Sequence, residues 1–288
     1  MDYLAREQAP FPDELWGRIE AAAVSAARDR LTARRFLPLE GPFGIGLTAI
    51  ECGGDRILRQ PHAEEATAVM ARTQPVPSIR HIFRVSIRRV AAHVEQGQPF
   101  DLSPAEGAAE AVADREEELI YRGEPDLHLP GLLDCEGHLE ISSGDWGAID
   151  RALEDVLAAA TRLDEAGHRG PYALALAPAL YNGLFRLYPG TDVLQLEHLR
   201  RLCTRGIYKA PIEGGVLVDP RLGTLILGQD LHAGYISQDG VHYHLYLTES
   251  IVLRIDEPKA ICTIGATTSG ARERETRDGR GARSRAEA

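Results

Sequence analysis

The chain has no Cys-x-x-Cys pair, no uninterrupted apolar run approaching the ~18 residues of a membrane span, and no surplus of positive charge. Its four cysteines, Cys52, Cys135, Cys203 and Cys262, lie far apart, which excludes a paired-thiol redox motif and a four-cysteine zinc ribbon. The start MDYLAREQAPFP carries no apolar stretch of the signal-peptide kind. The expectation is therefore reduced, buried thiols in a cytoplasmic protein with no membrane partner. The 32 Lys and Arg against 43 Asp and Glu leave a formal charge of -11, which repels a phosphate backbone and speaks against nucleic acid as a partner.

Catalytic signatures are missing as well. ISSGDWG (141–147) approaches a Gly-x-Ser-x-Gly elbow but lacks the first glycine, so no nucleophile can be nominated. LEGPFGIG (39–46) has three glycines but no Lys-Ser/Thr of a phosphate loop, and its glycines read as turn geometry. A carboxylate di-iron centre needs Glu-x-x-His pairs on two helices. Only Glu165 and His168 offer one, beside the helix-ending Gly167. Cys135 and His138 have zinc-like spacing but no second pair. His242 and His244 share one strand face and could chelate a metal, although such pairs more often line a polar face or an interface.

What is present is the composition of a globular protein. At 288 residues the chain suits one large or two ordinary domains. Residues 13–35 read as an Ala-rich helix with Asp13 as N-cap and a stripe of Leu15, Ile19, Ala22 and Ala26. LTAIECGGDRILR reads as a hairpin turning at Gly53-Gly54, exposed enough to be an arm. Phe83, Val85 and Ile87 alternate with Arg84, Ser86 and Arg88 as a half-buried strand. A further helix runs from about Trp146 to Glu165, with Leu153, Val156, Leu157, Ala160 and Leu163 inward. GPYALALAP (170–178) reads as a buried strand, and strands return from Gly215 onward.

One stretch raises the question of chemistry directly. REEELIYRG (115–123) ends a helix that opens at Ser103-Pro104, with Ser103 as cap and Gly123 as stop. Helical geometry puts Ala105, Ala108, Val112 and Leu119 on one side and Glu106, Glu110, Asp114 and Glu117 on the other. The acids then form a solvent-facing stripe, or pair between subunits with the basic residues Arg80, Arg84, Arg88 and Arg89. The Arg-rich end, GATTSGARERETRDGRGARSRAEA, has no apolar periodicity and is expected to be disordered.

In order, the chain shows an N-terminal helix, GPFG, an extended arm, a capped helix ending E-x-x-I-Y-R-G, an insert with GPY, then LGQDLHAGY, LTES and ICTI. This arrangement, over residues 1–264, resembles the encapsulins of family 1, the linocin-like shell proteins of bacterial nanocompartments. The resemblance implies an α+β chain with the tailed-bacteriophage major capsid protein fold. It implies residues 1–46 as N-terminal helix and start of the peripheral domain, and 47–78 as extended loop. Residues 79–131 would be peripheral domain with a spine helix at 104–122, and 132–219 the axial domain. Residues 220–264 would be peripheral return strands, and 265–288 the tail.

The function implied is a non-enzymatic shell protomer with no catalytic, metal or cofactor site. Copies in a multiple of sixty would close into an icosahedral cage in the cytoplasm. The cage would enclose a ferritin-like, peroxidase or hemerythrin-like cargo enzyme for iron storage or oxidative-stress protection. Cargo would dock by a C-terminal targeting peptide at Ala27, Leu31, Arg34, Asp230, Leu231 and Ile236, an apolar patch with one guanidinium. Relatives often carry an acidic residue where this chain has Pro38. The alternatives are a phage or prophage major capsid protein, or a stand-alone hydrolase or metal-dependent enzyme.

Overall fold

In the computed structural model, which describes residues 2–57 and 68–265, the chain forms two units. One contains the chain up to Gly131 together with Pro220–Glu257; the other contains Leu132–Asp219 and the chain from Pro258 onward. The first unit opens with α1 (Asp13–Arg30), which buries Leu15, Trp16, Ile19, Ala23 and Ala27. The expected Ala22 and Ala26 are only half-buried, because the buried stripe advances in steps of four. Asp13 is the first helical residue rather than a cap, and with Glu14 it sits at the positive end of the helix dipole.

A short strand β1 (Leu39–Glu40) follows, then the arm with β2 (Ala49–Glu51), β3 (Arg56–Ile57), β4 (Val69–Met70) and β5 (Thr73–Pro75). The pairing expected around Gly53-Gly54 does not form. Instead β2 pairs with β5 and β3 with β4, so the arm runs out and returns beyond the described gap. Residues 58–67 of the expected extended loop lie outside the described residues, as does the tail from 266. The glycines of GPFG serve close approach. Gly41 has φ +120°, and a Cβ there would stand 2.3 Å from the Leu227 carbonyl oxygen.

Next come β6 (Ser78–Ser86), α2 (Ile87–Gln96) and α3 (Ser103–Arg122). Ile87, expected in the strand, opens α2, a helix that the run of Arg88 and Arg89 hid from periodicity. Ser103 does not cap α3; it is the first helical residue, and its Oγ donates to Asp101 at 2.7 Å. Gly123 ends the helix at φ +69°, with the Leu129 carbonyl 2.2 Å from where a Cβ would stand. Only glycine fits there.

The second unit carries β7 (Leu139–Ile141), α4 (Arg151–Glu165), β8 (Ala173–Leu176), α5 (Pro178–Gly183), α6 (Gln195–Leu202), β9 (Gly206–Lys209) and β10 (Gly215–Val218). The chain then returns to the first unit with β11 (Gly223–Gln238) and β12 (His242–Ile255), and ends in the second with β13 (Ile261–Ile264). Residues 258–264 therefore depart from the expected peripheral assignment: β13 lies between β7 and β10. That sheet has the order β7-β13-β10-β8-β9, and β8, β10 and β13 are buried throughout. Short strands covered on both faces read as unbroken apolar runs, which is why 173–176 was legible.

Helix α4 is turned relative to expectation. Leu157 is 47% exposed, whereas Asp155 is buried and accepts from Gly144 N at 2.7 Å and Trp146 Nε1 at 2.8 Å. The Trp146 segment is thus held as a loop by α4, which starts only at Arg151.

In the first unit the sheet order is β1-β11-β12-β6, with α1 and α3 packed on each other and on the strands. Register shifts interrupt β11 between Leu227 and Gln229, between Gln229 and His232, and between Tyr235 and Ser237. Such bulges re-aim side chains. The middle one carries Asp230 and Leu231.

Candidate docking groove

Helix α1 stops where Leu31 N still bonds Ala27 O at 3.0 Å, and the backbone then tightens into a 3-10 turn, Ala33–Arg35. The turn is held from α3. Glu117 accepts from Thr32 N at 2.9 Å, from Ala33 N at 3.0 Å and from the Thr32 hydroxyl, which also meets Tyr121 OH at 3.0 Å. Those backbone donors lie just past a helix end, and a carboxylate that takes both leaves neither unsatisfied. Glu117 is 1% exposed. Burial raises its pKa, against the opposing effect of the bonds from Thr32 and Ala33.

Arg34 ties three elements together. Its Nε and Nη2 each reach Glu116 of α3 at 2.6 Å, and Nη2 also reaches Glu249 of β12 at 2.8 Å. The fork on Glu116 is the bidentate geometry that makes Arg–carboxylate pairs strong. Asp230 on the β11 bulge faces Nη1 at 3.8 Å. Burial alone would lower the Arg34 pKa, but the Glu116 hydrogen bonds and the charges of Glu116, Glu249 and Asp230 raise it overall. Burial, reinforced by the Glu116 charge, pushes Glu249 well above its ordinary value despite Arg34.

Above this network lies a groove of about 520 Å3. Ala27, Leu31 and Leu231 supply buried apolar surface, and Val24 and the bulge residue Asp230 stand at its sides. Five of the six residues named from the sequence, Ala27, Leu31, Arg34, Asp230 and Leu231, line it. Ile236 does not. It lies further along β11, past the register shift after Tyr235, and is 39% exposed. The guanidinium expected to be available to a ligand is already engaged by Glu116 and Glu249. Sequence reasoning missed both of those carboxylates; for Glu116 the +3 and +4 spacing from the apolar Ala113 and Val112 was the available signal, since it puts that residue beside the buried face of the helix.

The acidic stripe is corrected accordingly. Glu117, expected in solvent, is enclosed; Glu110 and Asp114 pair within the chain with Arg30, at 2.6 and 3.6 Å. Arg80 stacks over Tyr246, 3.8 Å from the ring centre. Among the described residues no group of three His, Cys, Asp or Glu side chains could hold a metal. His138 Nδ1 lies 2.7 Å from the Cys135 carbonyl, and burial pushes the Cys135 thiol up to about 12. His244 Nε2 lies 3.1 Å from Asp239. Cys52, expected buried, is half-buried; the other three cysteines are buried and all four are free. No described helix is long and apolar enough to cross a membrane.

Comparison with known proteins adds to this geometry. A family model described as "encapsulating protein for peroxidase" matches residues 1–252. The type 1 encapsulin shell protein EncA of Myxococcus xanthus strain DK1622 is 31% identical over 286 residues, covering 95% of this chain and 99% of that protein. Among solved structures, the virus-like particle from Pyrococcus furiosus superposes with a TM-score of 0.70 at 22% identity, over 87% of this chain and 99% of that one. The capsid of Myoviridae phage XM1 gives a TM-score of 0.57 at 14% identity, over 81% and 90%. These two likenesses establish the tailed-phage capsid fold.

Proposed function

The chain belongs to the encapsulin family and is a structural shell protein rather than an enzyme; from that premise we propose that the compartment its copies form encloses a cargo enzyme. The copies number a multiple of sixty, as icosahedral closure requires, and the compartment resides in the cytoplasm. The cargo is a redox enzyme: a ferritin-like protein, a peroxidase or a hemerythrin-like protein, serving iron storage or protection from oxidative stress. The family description, which names a peroxidase, supports that class.

The observation that carries the docking reading is the groove itself. A short apolar segment suits a groove of this size whose apolar lining is Ala27, Leu31 and Leu231, and whose basic lining is Arg28, Arg35 and an Arg34 already paired with Glu116 and Glu249. The occupant would be a C-terminal peptide of the cargo, held by its apolar side chains rather than by a charge on Arg34. Residues 132–219 would form the axial domain and 79–131 the peripheral domain with α3 as its spine.

Two experiments test this. Electron microscopy of the purified protein should show uniform closed particles; a soluble monomer at every concentration refutes the shell. Val24→Asp places a carboxylate on the groove wall outside the Arg34 network. Particles should form as before, while co-expressed cargo loading falls at least about tenfold, equivalent to 1.4 kcal/mol. Undiminished loading removes the groove from the reading and leaves the shell standing.

A further inference from the structure

The docking groove stands on a cluster of two carboxyl groups and one guanidinium. A single nitrogen of Arg34, Nη2, meets Glu116 at 2.6 Å and Glu249 at 2.8 Å, and the two carboxyl groups are hydrogen-bonded to each other. Such a bond needs a proton between them, and two carboxylates in one enclosed site resist joint ionisation. Both Glu116 oxygens are taken by the Arg34 fork, which leaves the proton to Glu249, a groove-lining residue that is 3% exposed. With Glu249 neutral, Arg34 and Glu116 cancel. With Glu249 ionised, one negative charge stands uncompensated beneath an apolar lining.

The bulge in β11 sets this position. Gln229 pairs with Ser250 and His232 with Thr248, so Glu249 lies opposite the two extra residues, Asp230 and Leu231, that line the groove. On the other side β6 pairs the buried, apolar Ile79 with it. Asp230 faces Arg34 Nη1 at 3.8 Å, and Glu117 is turned to Thr32 and Ala33. Arg28, Asp29 and Arg35 line the groove from the α1 side, and His232 Nδ1 lies against Glu20. Among the described residues, Arg34 is the one cation that pairs with Glu249.

We propose, taking the docking reading above as given, that the groove is gated by a proton on Glu249: the neutral carboxyl admits an apolar segment and the carboxylate disfavours it. A segment laid on Leu31 and Leu231 excludes the water that screens the cluster, and an uncompensated charge without water is costly. Occupation therefore favours the neutral form, and by reciprocity the neutral form favours occupation to the same degree. Glu249 acts by its charge from within the wall, so no contact with the occupant is required. Burial and the Glu116 charge already hold Glu249 well above the ordinary carboxylate range. Affinity is then full at low pH and lost as pH rises through that raised value, with a proton taken up on binding.

The test is calorimetric titration of the assembled full-length protein with acetyl-Leu-Gly-Ser-Leu-amide, a probe with no ionisable group, at about pH 5 and about pH 8. Binding should be at least about tenfold tighter at the lower pH, and heats compared in phosphate and imidazole buffers between those values should show proton uptake. In Glu249→Gln, with particles checked by electron microscopy, the two affinities should differ by less than about twofold. Absence of binding at both pH values removes the docking groove and the gate with it. Equal affinity at both, or proton release, overturns the gate and leaves the groove standing. A pH dependence that survives Glu249→Gln overturns the gate as well, because it assigns the effect to another group. Should that variant fail to assemble, His232→Asn and Asp230→Asn decide: the pH dependence should persist in both, and its loss in either overturns the gate.

Discussion

The two units enclose carboxylates for different purposes. In the first, Glu116, Glu117 and Glu249 lie within the protein and join elements distant in sequence: the turn after α1, helix α3 and strand β12. In the second, Asp155 and Asp219 serve nearby loops, bonding Gly144 and Trp146 in one case and Gly170 in the other, around an otherwise apolar core of Val156, Leu163, Leu174, Leu176 and Leu217. Relative placement of parts rests on charge in the first unit and on side-chain volume in the second. Enclosed ion pairs bring little net stability, yet removing one partner is costly because the other is stranded.

The sharpest break of that contrast is Arg34→Ala. It strands Glu116 and Glu249 side by side, and urea titration should show a loss of about 3–5 kcal/mol. A loss under about 1 kcal/mol would mean that water replaces the guanidinium without penalty. The counterpart in the second unit is Leu163→Ala, which leaves a cavity and should cost roughly 2–5 kcal/mol with no change in pH dependence.

A subtler probe concerns the sign of that pH dependence. Glu249 and Glu117 have folded-state pKa values raised above 4.5, so each contributes stability fully present below that value and lost as pH rises through the raised one. Glu20 is lowered, although its burial opposes this, by bonds from His232, Ala233 and Arg6, and it acts oppositely, losing its contribution as pH falls. Glu249→Gln retains an acceptor for Arg34 but cannot ionise. Between pH 4.5 and 7 it should therefore lose less stability than the parent; parallel pH profiles would show that Glu249 does not titrate there. The smallest effect belongs to the exposed pair Arg115–Glu118. Glu118→Ala should change stability by no more than about 1 kcal/mol.

Much of this architecture was legible in the residues. The buried face of α3 follows from Ala105, Ala108, Val112 and Leu119, and Gly123 marks its end. The buried run at 173–176 announced a covered strand. The groove was reached through family resemblance, since nothing in the periodicity of 24–34 and 230–231 says that these stretches meet. Enclosure of Glu117 was not legible, because a helical projection locates the apolar face without revealing what wraps the remainder. Here the turn at Thr32 and Ala33 does so. The arm misled for a related reason: Gly53-Gly54 can make a tight turn, but β5 offered β2 another partner. Such choices depend on distant chain, which local propensity does not report.

The position of β13 bears on the making of the protein. Because it pairs with β7 on one side and β10 on the other, the second unit's sheet stays in two pieces until the chain has been synthesised through Ile264. A nascent chain emerging from the ribosome can close the sheet of the first unit earlier, since β12 is complete at Ile255. Completion of the second sheet thus waits for β13, and a chain stopped just short of Ile261 would keep both of those strand edges open.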